Sequence, residues 1–222
     1  MAAVPGPFEA VVFDNDGLLL DTEDAWTRAE QRLFRRYGRE FTMEHKRALL
    51  GTSVTESALK LEAMLAAPAE GAHLMEQLHE LVMEEVLGGV PIRPGGRELV
   101  ERLRADGVPI GLATNSSRPF VERVLASSGF RSDEFGIVVS ADDVERPKPA
   151  PDIYLAACAG LGAEPGRSAA LEDSPPGVAA ALAARMFVIA VPYFPDQALD
   201  GASLNAPSLA DPSVAAALGL TR

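Results

Sequence analysis

The 222-residue chain has one cysteine, one tryptophan and three lysines, and only 6% of it is aromatic. A single thiol forms neither an internal disulfide nor a thiolate zinc site, so the fold must hold without them. Roughly 70–75% of the unfolded surface is buried at this chain length, enough for an apolar core to suffice. No uninterrupted apolar run reaches about 18 residues, which excludes a spanning helix. Met1 to Pro7 has no basic segment ahead of an apolar one, so no secretory signal is visible and a cytoplasmic location is expected. Basic residues are outnumbered, 20 against 32 acidic, for a net charge of −12. A sequence-independent grip on nucleic acid or anionic lipid rewards basic patches, so neither is an expected partner. With 47% apolar and 23% charged residues, the composition is that of one globular domain, or of one domain carrying a smaller insert.

Phe8–Phe13 is a short apolar, β-branched run that reads as a buried strand ending at Asp14. From Glu23 to Tyr37 the period becomes helical, and Ser53–Ala66 and Ala72–Leu87 repeat it. The glycine- and proline-rich stretch 88–96 reads as a linker. Thereafter helices (97–105, 118–128, 153–161, 176–184) alternate with strands (108–114, 136–140, 169–172, 187–191), and the tail predicts a short strand or loop plus a helix near 212–218. Such alternation requires a parallel sheet covered by helices on both faces. The expected fold is α/β, a Rossmann-like doubly wound parallel sheet with an inserted α-helical cap domain. Residues 1–20 and 93–222 are assigned to the core and 21–92 to the cap domain, with hinges near 18–21 and 87–96.

In an open parallel sheet the carboxyl ends of the strands form the ligand crevice. Here those ends carry Asp14-Asn15-Asp16-Gly17, Thr114-Asn115-Ser116 and Glu172-Asp173-Ser174, with Lys148 in the loop after the third strand. Clustered carboxylates repel, and an all-oxygen set suits Mg²⁺. A lysine and hydroxyls complete an anion site, and the combination calls for phosphoryl transfer. Lys148 stands out further because arginine serves almost everywhere else, 17 to 3.

Asp14-Asn-Asp-Gly-Leu-Leu-Leu-Asp21 resembles the first motif of the haloacid dehalogenase superfamily, and Thr114, Lys148 and Glu172-Asp173 follow in the order of its other three. Lys148-Pro-Ala-Pro-Asp152 and Glu172-Asp-Ser-Pro-Pro-Gly177 are similar to the β-phosphoglucomutase-like branch, whose cap domain lies between motifs one and two. The resemblance implies Asp14 as nucleophile and Asp16 as the acid and base. Mg²⁺ would sit on Asp14, the Asp16 backbone carbonyl and Asp173, with Glu172 binding through water or directly. Thr114, the Asn115 backbone and Lys148 would hold the phosphoryl oxygens. An aspartate at position 16 selects phosphatase or phosphomutase chemistry, since dehalogenases have no alkoxide leaving group to protonate.

Mutases of the branch carry a histidine and an arginine where this chain has Trp26 and Val54, and a bisphosphate intermediate needs cationic help at its far end. The expectation is therefore a Mg²⁺-dependent phosphatase of small monoesters, most naturally sugar phosphates, with Trp26, Thr52 and Ser53 selecting the substrate. A sugar phosphomutase is the alternative, and a phosphate or metabolite sensor the non-enzymatic one. A monomer is expected, with a homodimer as the alternative. Other features have plainer readings. Cys158 reads as core, His73 and His79 are misspaced for a metal pair, and Asn115-Ser116-Ser117 is a sequon with no secretory route. Asp142-Asp143 reads as an exposed loop, and Arg32, Arg35, Arg36 and Arg39 as a solvated helix face. Glu172-Asp173 could also cap the following helix. Arg185 stands where relatives often carry glycine, and would cost about 1 kcal/mol if that position is left-handed.

Overall fold

Six strands form the sheet: β1 (Val11–Phe13), β2 (Ile110–Ala113), β3 (Ile137–Val139), β4 (Ala169–Glu172), β5 (Phe187–Ala190) and β6 (Leu204–Asn205). They belong to a computed structural model that describes residues 8–220; the stretch Met1–Pro7, read above for a leader, lies outside the described residues. All pairings are parallel, in the order β3-β2-β1-β4-β5-β6. β1 is thus central, and the strand order reverses beside it, which leaves a crevice at the carboxyl ends of β1, β2 and β4. Val11 and Phe13 bury into one apolar cluster and Val12 into another, the two-residue alternation of a strand covered on both faces. Cys158 lies fully buried in the second cluster, as a small core residue should.

Four helices, α1 (Glu23–Arg36), α2 (Met43–Leu49), α3 (Val54–Leu65) and α4 (Gly71–Glu85), come between β1 and the helix α5 (Gly96–Ala105) that precedes β2. Their buried residues Leu33, Phe34, Leu61, Leu74 and Leu81 join the same cluster as Phe13 and Leu112. The remaining helices are α6 (Arg118–Ser128), α7 (Asp152–Leu161), α8 (Pro175–Ala183) and α9 (Pro212–Ala217).

Several details differ from the sequence reading. α2 was not predicted: it has seven residues, and its capping box uses His45 in place of the usual Glu or Gln. Arg32 is not merely solvated, since it pairs with Glu84 at 2.6 Å and Glu85 at 2.8 Å, and Arg28 joins Glu85 at 2.7 Å, tying α1 to α4. Asp142 and Asp143 form a short 3₁₀ turn; Asp142 accepts from the Arg118 N–H and Asp143 pairs with the Arg118 side chain. The cap of α8 is Ser174, whose hydroxyl accepts from the Gly177 N–H at 3.3 Å, so Glu172 and Asp173 are not used for it. The two chain crossings are bound together, with Asp21 N–H donating to Pro91 O at 2.8 Å and Arg93 N–H to Leu19 O at 2.9 Å. Arg185 has φ +64°, the left-handed position just past α8, so it carries the expected cost of about 1 kcal/mol against glycine.

Candidate active site

β1 delivers Asp14 to the crevice, and the chain then turns at Gly17, where φ is +82°. A Cβ at Gly17 would stand 2.2 Å from Asp173 Oδ2, so glycine is what lets the two loops meet. Gly177 does the same at the start of α8, where a Cβ would lie 2.0 Å from the Glu172 carboxyl.

Lys148 is buried among acceptors. Its ammonium donates to Asp14 Oδ1 at 2.5 Å, Glu172 Oε1 at 2.6 Å and Ala113 O at 2.8 Å, which uses all three donors. Asn115 clamps the Lys148 backbone on both sides, with Nδ2 donating to the carbonyl and Oδ1 accepting from the N–H. The Tyr154 hydroxyl also donates to Glu172 Oε1, at 2.5 Å. Burial pulls the Lys148 ammonium down, but Asp14 and Glu172 more than offset this and hold it charged well above the usual lysine range. Burial and Glu172 push the Tyr154 phenol up, so it remains a donor. Nothing in the Ala-rich helix around Tyr154 announced this role.

Asp16 is held differently. Its Oδ2 accepts from the Thr114 and Ser116 hydroxyls, both at 2.8 Å. Thr114 has one proton and spends it there, so a phosphoryl oxygen could take it only if Asp16 let go. Ser116 was not singled out in the sequence. The backbone N–H groups of Asn15, Asp16 and Asn115 have no hydrogen-bond partner among the described residues and suit an oxyanion.

Asp14, Glu172 and Asp173 each offer an oxygen within 4.8 Å of the others, all buried. Burial, with Glu172 and Asp16 close by, pushes the Asp14 carboxyl well above the usual range, although Lys148 opposes this. Burial, Asp14, Glu172 and Glu23 do the same to Asp173. The Asp173 carboxylate accepts no hydrogen bond among the described residues, whereas Glu172 is ringed by Lys148, Tyr154, Ser174 and the Asp173 N–H. A crowded, under-satisfied, all-oxygen set of this kind fits Mg²⁺, with Asp14 and Asp173 the freer ligands.

The crevice opens into a cavity of about 210 Å³ lined by Asp14, Asp16, Thr114, Asn115, Lys148 and Asp173 from the sheet side. That is below the roughly 300–1,000 Å³ of pockets for drug-sized ligands, so it suits a small metabolite. From α1 and the α2–α3 turn, Trp26 and Thr52 also line it. The Trp26 ring packs on Phe120 of α6 with centroids 5.5 Å apart. Ser53 is not among the lining residues; its hydroxyl caps α3 by accepting from the Glu56 N–H. His79 lines the cavity while His73 faces Glu76 at the surface, so the two are apart.

Sequence reasoning also missed a second buried cluster on this wall. The Lys46 ammonium lies 2.6 Å from Glu23 Oε2 and 3.3 Å from Glu30 Oε2, all three side chains being at least 90% buried. Burial pulls Lys46 down, yet the two carboxylates carry it above its ordinary value. Burial raises Glu30 to about 7, against the pull of Lys46. A carboxyl whose folded pKa is raised binds its proton more tightly folded than unfolded, so its contribution to stability declines as pH rises from about 4.5 to about 7. Glu30→Gln removes that slope: melting temperatures at pH 5 and pH 8 converge relative to wild type, and scanning calorimetry at the two pH values checks it.

The chain matches the haloacid dehalogenase-like hydrolase family over residues 8–185. It is 32% identical to hexitol phosphatase B of Escherichia coli strain K12 over 194 residues, covering 86% of each chain. A solved structure of a CbbY variant from Rhodobacter sphaeroides, in complex with xylulose-(1,5)bisphosphate, superposes with a TM-score of 0.82 at 30% identity, covering 95% of this chain and 99% of that one. The β-phosphoglucomutase of Clostridium difficile superposes with a TM-score of 0.76 at 25% identity, covering 91% and 92%. The chain belongs to the haloacid dehalogenase-like hydrolases. Among the described residues no helix is long and apolar enough to cross a membrane.

Proposed function

We propose that this phosphoric monoester hydrolase removes phosphate from small sugar or polyol phosphates through an aspartyl-phosphate on Asp14, with Mg²⁺ as its metal, in the cytoplasm. The observation that carries the reading is that two carboxylates face one cavity under different restraint. Asp14 is fixed by a buried lysine, whereas Asp16 is held by two hydroxyls that can release it.

In this reading the Asp14 carboxylate attacks phosphorus while the bond to the ester oxygen breaks, and Asp16 donates the proton that oxygen needs. Asp16 then takes a proton from water, the water oxygen attacks phosphorus, and Asp14 is released. Lys148 opposes the burial that favours the protonated Asp14 and keeps the carboxyl aimed. The Asn15, Asp16 and Asn115 N–H groups bind the phosphoryl oxygens. Asp14, Asp173 and the Asp16 carbonyl would hold Mg²⁺, with Glu172 behind them, and the bound ion would supply charge neutralisation at the phosphoryl group. Residues 21–92 act as the cap domain over residues 1–20 and 93–222, excluding bulk water and admitting the alcohol part. The mutase alternative lacks support, because neither Trp26 nor Val54 offers a cation to a second phosphate.

The test is phosphate release from a panel of sugar and polyol monophosphates, with Mg²⁺ and with chelator. Release that falls at least a hundredfold on chelation is expected. No release from any monoester in Mg²⁺ refutes the reading.

A further inference from the structure

The Lys46–Glu23–Glu30 cluster forms part of the same cavity as Asp14, so it faces whatever is esterified to the phosphate. Its ammonium is fully engaged: besides the two carboxylates it donates to the Glu23 carbonyl at 3.4 Å. Lys148, the other lysine lining the cavity, is equally engaged by Asp14, Glu172 and Ala113. Among the described residues no arginine lines the cavity and His79 is the one further side chain there able to carry positive charge, while Asp14, Asp16, Asp173, Glu23 and Glu30 all line it. One phosphoryl group is provided for by the free Asn15, Asp16 and Asn115 N–H groups and a metal. A second anion that reaches the Lys46 cluster meets carboxylates and an ammonium with no donor left. Hydroxyls fare better, because Glu23 Oε1 and Glu30 Oε1 accept no hydrogen bond among the described residues.

We propose that this cluster is the specificity wall of the site, accepting hydrogen bonds from the hydroxyls of a neutral sugar or polyol and turning away esters that carry a second phosphate or a carboxylate. The inference deepens the hydrolase reading and rests on it for the placement of the phosphoryl group at Asp14. Like-charge juxtaposition is an effective means of rejecting a wrong partner, and a carboxylate ringed by a fixed ammonium cannot turn aside to relieve it.

The test uses matched pairs that differ by one anion: glucose 6-phosphate with glucose 1,6-bisphosphate, and glycerol 3-phosphate with 3-phosphoglycerate. Binding to the Asp14→Asn protein is measured by calorimetry in Mg²⁺ at pH 8, where no turnover is required. The single-anion member of each pair binds about tenfold or more tightly, and adding Glu30→Gln narrows that ratio by about tenfold. Glu23→Gln is a second route to the same narrowing should Glu30→Gln fold poorly, and adding Glu76→Gln, an exposed glutamate of α4 outside the cavity, leaves the ratio unchanged. Hydrolysis of p-nitrophenyl phosphate by the wild type reports the chemistry separately. If that ester is cleaved but the pairs bind alike, or both glutamine variants leave the ratio unmoved, the wall is refuted and the hydrolase stands. If the preference holds but no ester is cleaved, the wall stands and the hydrolase reading fails.

Discussion

Asp14→Asn is expected to abolish turnover, lowering kcat by about 10⁴- to 10⁶-fold, the scale seen when a nucleophile is removed from an otherwise intact site. The amide is isosteric and its oxygen can still accept from Lys148, so the geometry of the site is retained. What is lost is the carboxylate that attacks phosphorus. Stability should move the other way. Burial holds the Asp14 carboxyl well above its ordinary pKa, so its ionisation costs stability as pH rises through that value. In chelator, the asparagine variant therefore gains on wild type between pH 4 and pH 8. Single-turnover assays and urea melts at both pH values read the two effects. Activity within tenfold of wild type would remove Asp14 from the mechanism altogether.

Lys148→Met is the second large effect, and here stability suffers first. The methionine fills the space but leaves Asp14, Glu172 and the Ala113 carbonyl without their shared donor. Removing one partner from a buried charge cluster typically costs about 3–5 kcal/mol, because the remaining charges cannot be resolvated. The deficit should grow from pH 5 to pH 8 as the stranded carboxylates ionise, and shrink when Mg²⁺ is added. Arginine does not rescue it: a planar fork cannot place three donors where a tetrahedral ammonium puts them. Urea denaturation in chelator and in Mg²⁺ decides the matter, a loss under 1 kcal/mol speaking against Lys148 as the organising cation.

The sheet was legible because its strands are short β-branched runs set between helices with a clear period, and because polar residues recur at the strand ends. The Asp14–Asp16 pair, Lys148 and Asp173 come from three distant parts of the chain and line one cavity. Less visible were features that depend on which helix faces which. Lys46 sits in a seven-residue helix too short to show a period, and its partners Glu23 and Glu30 look like ordinary surface acids of α1. Tyr154 is one aromatic in an alanine-rich helix, and only the parallel pairing of β1 with β4 brings Glu172 within reach of it. Ser53, a hydroxyl in a turn beside the cavity expected to meet the substrate, spends its oxygen on the cap that the backbone of α3 needs.

The contact between Trp26 and Phe120 has an optical consequence. Trp26 belongs to the inserted helices and Phe120 to the helix that follows β2, so the indole spans the seam between them at the edge of the cavity. Because it is the chain's single tryptophan, emission excited at the red edge, where the three tyrosines do not absorb, comes from this seam alone. A ligand that enters the cavity, or a parting of the seam, changes the polarity around one indole with no second indole elsewhere. Cavity occupancy can therefore be titrated without a label, most cleanly in the Asp14→Asn protein, where the ester binds and stays whole.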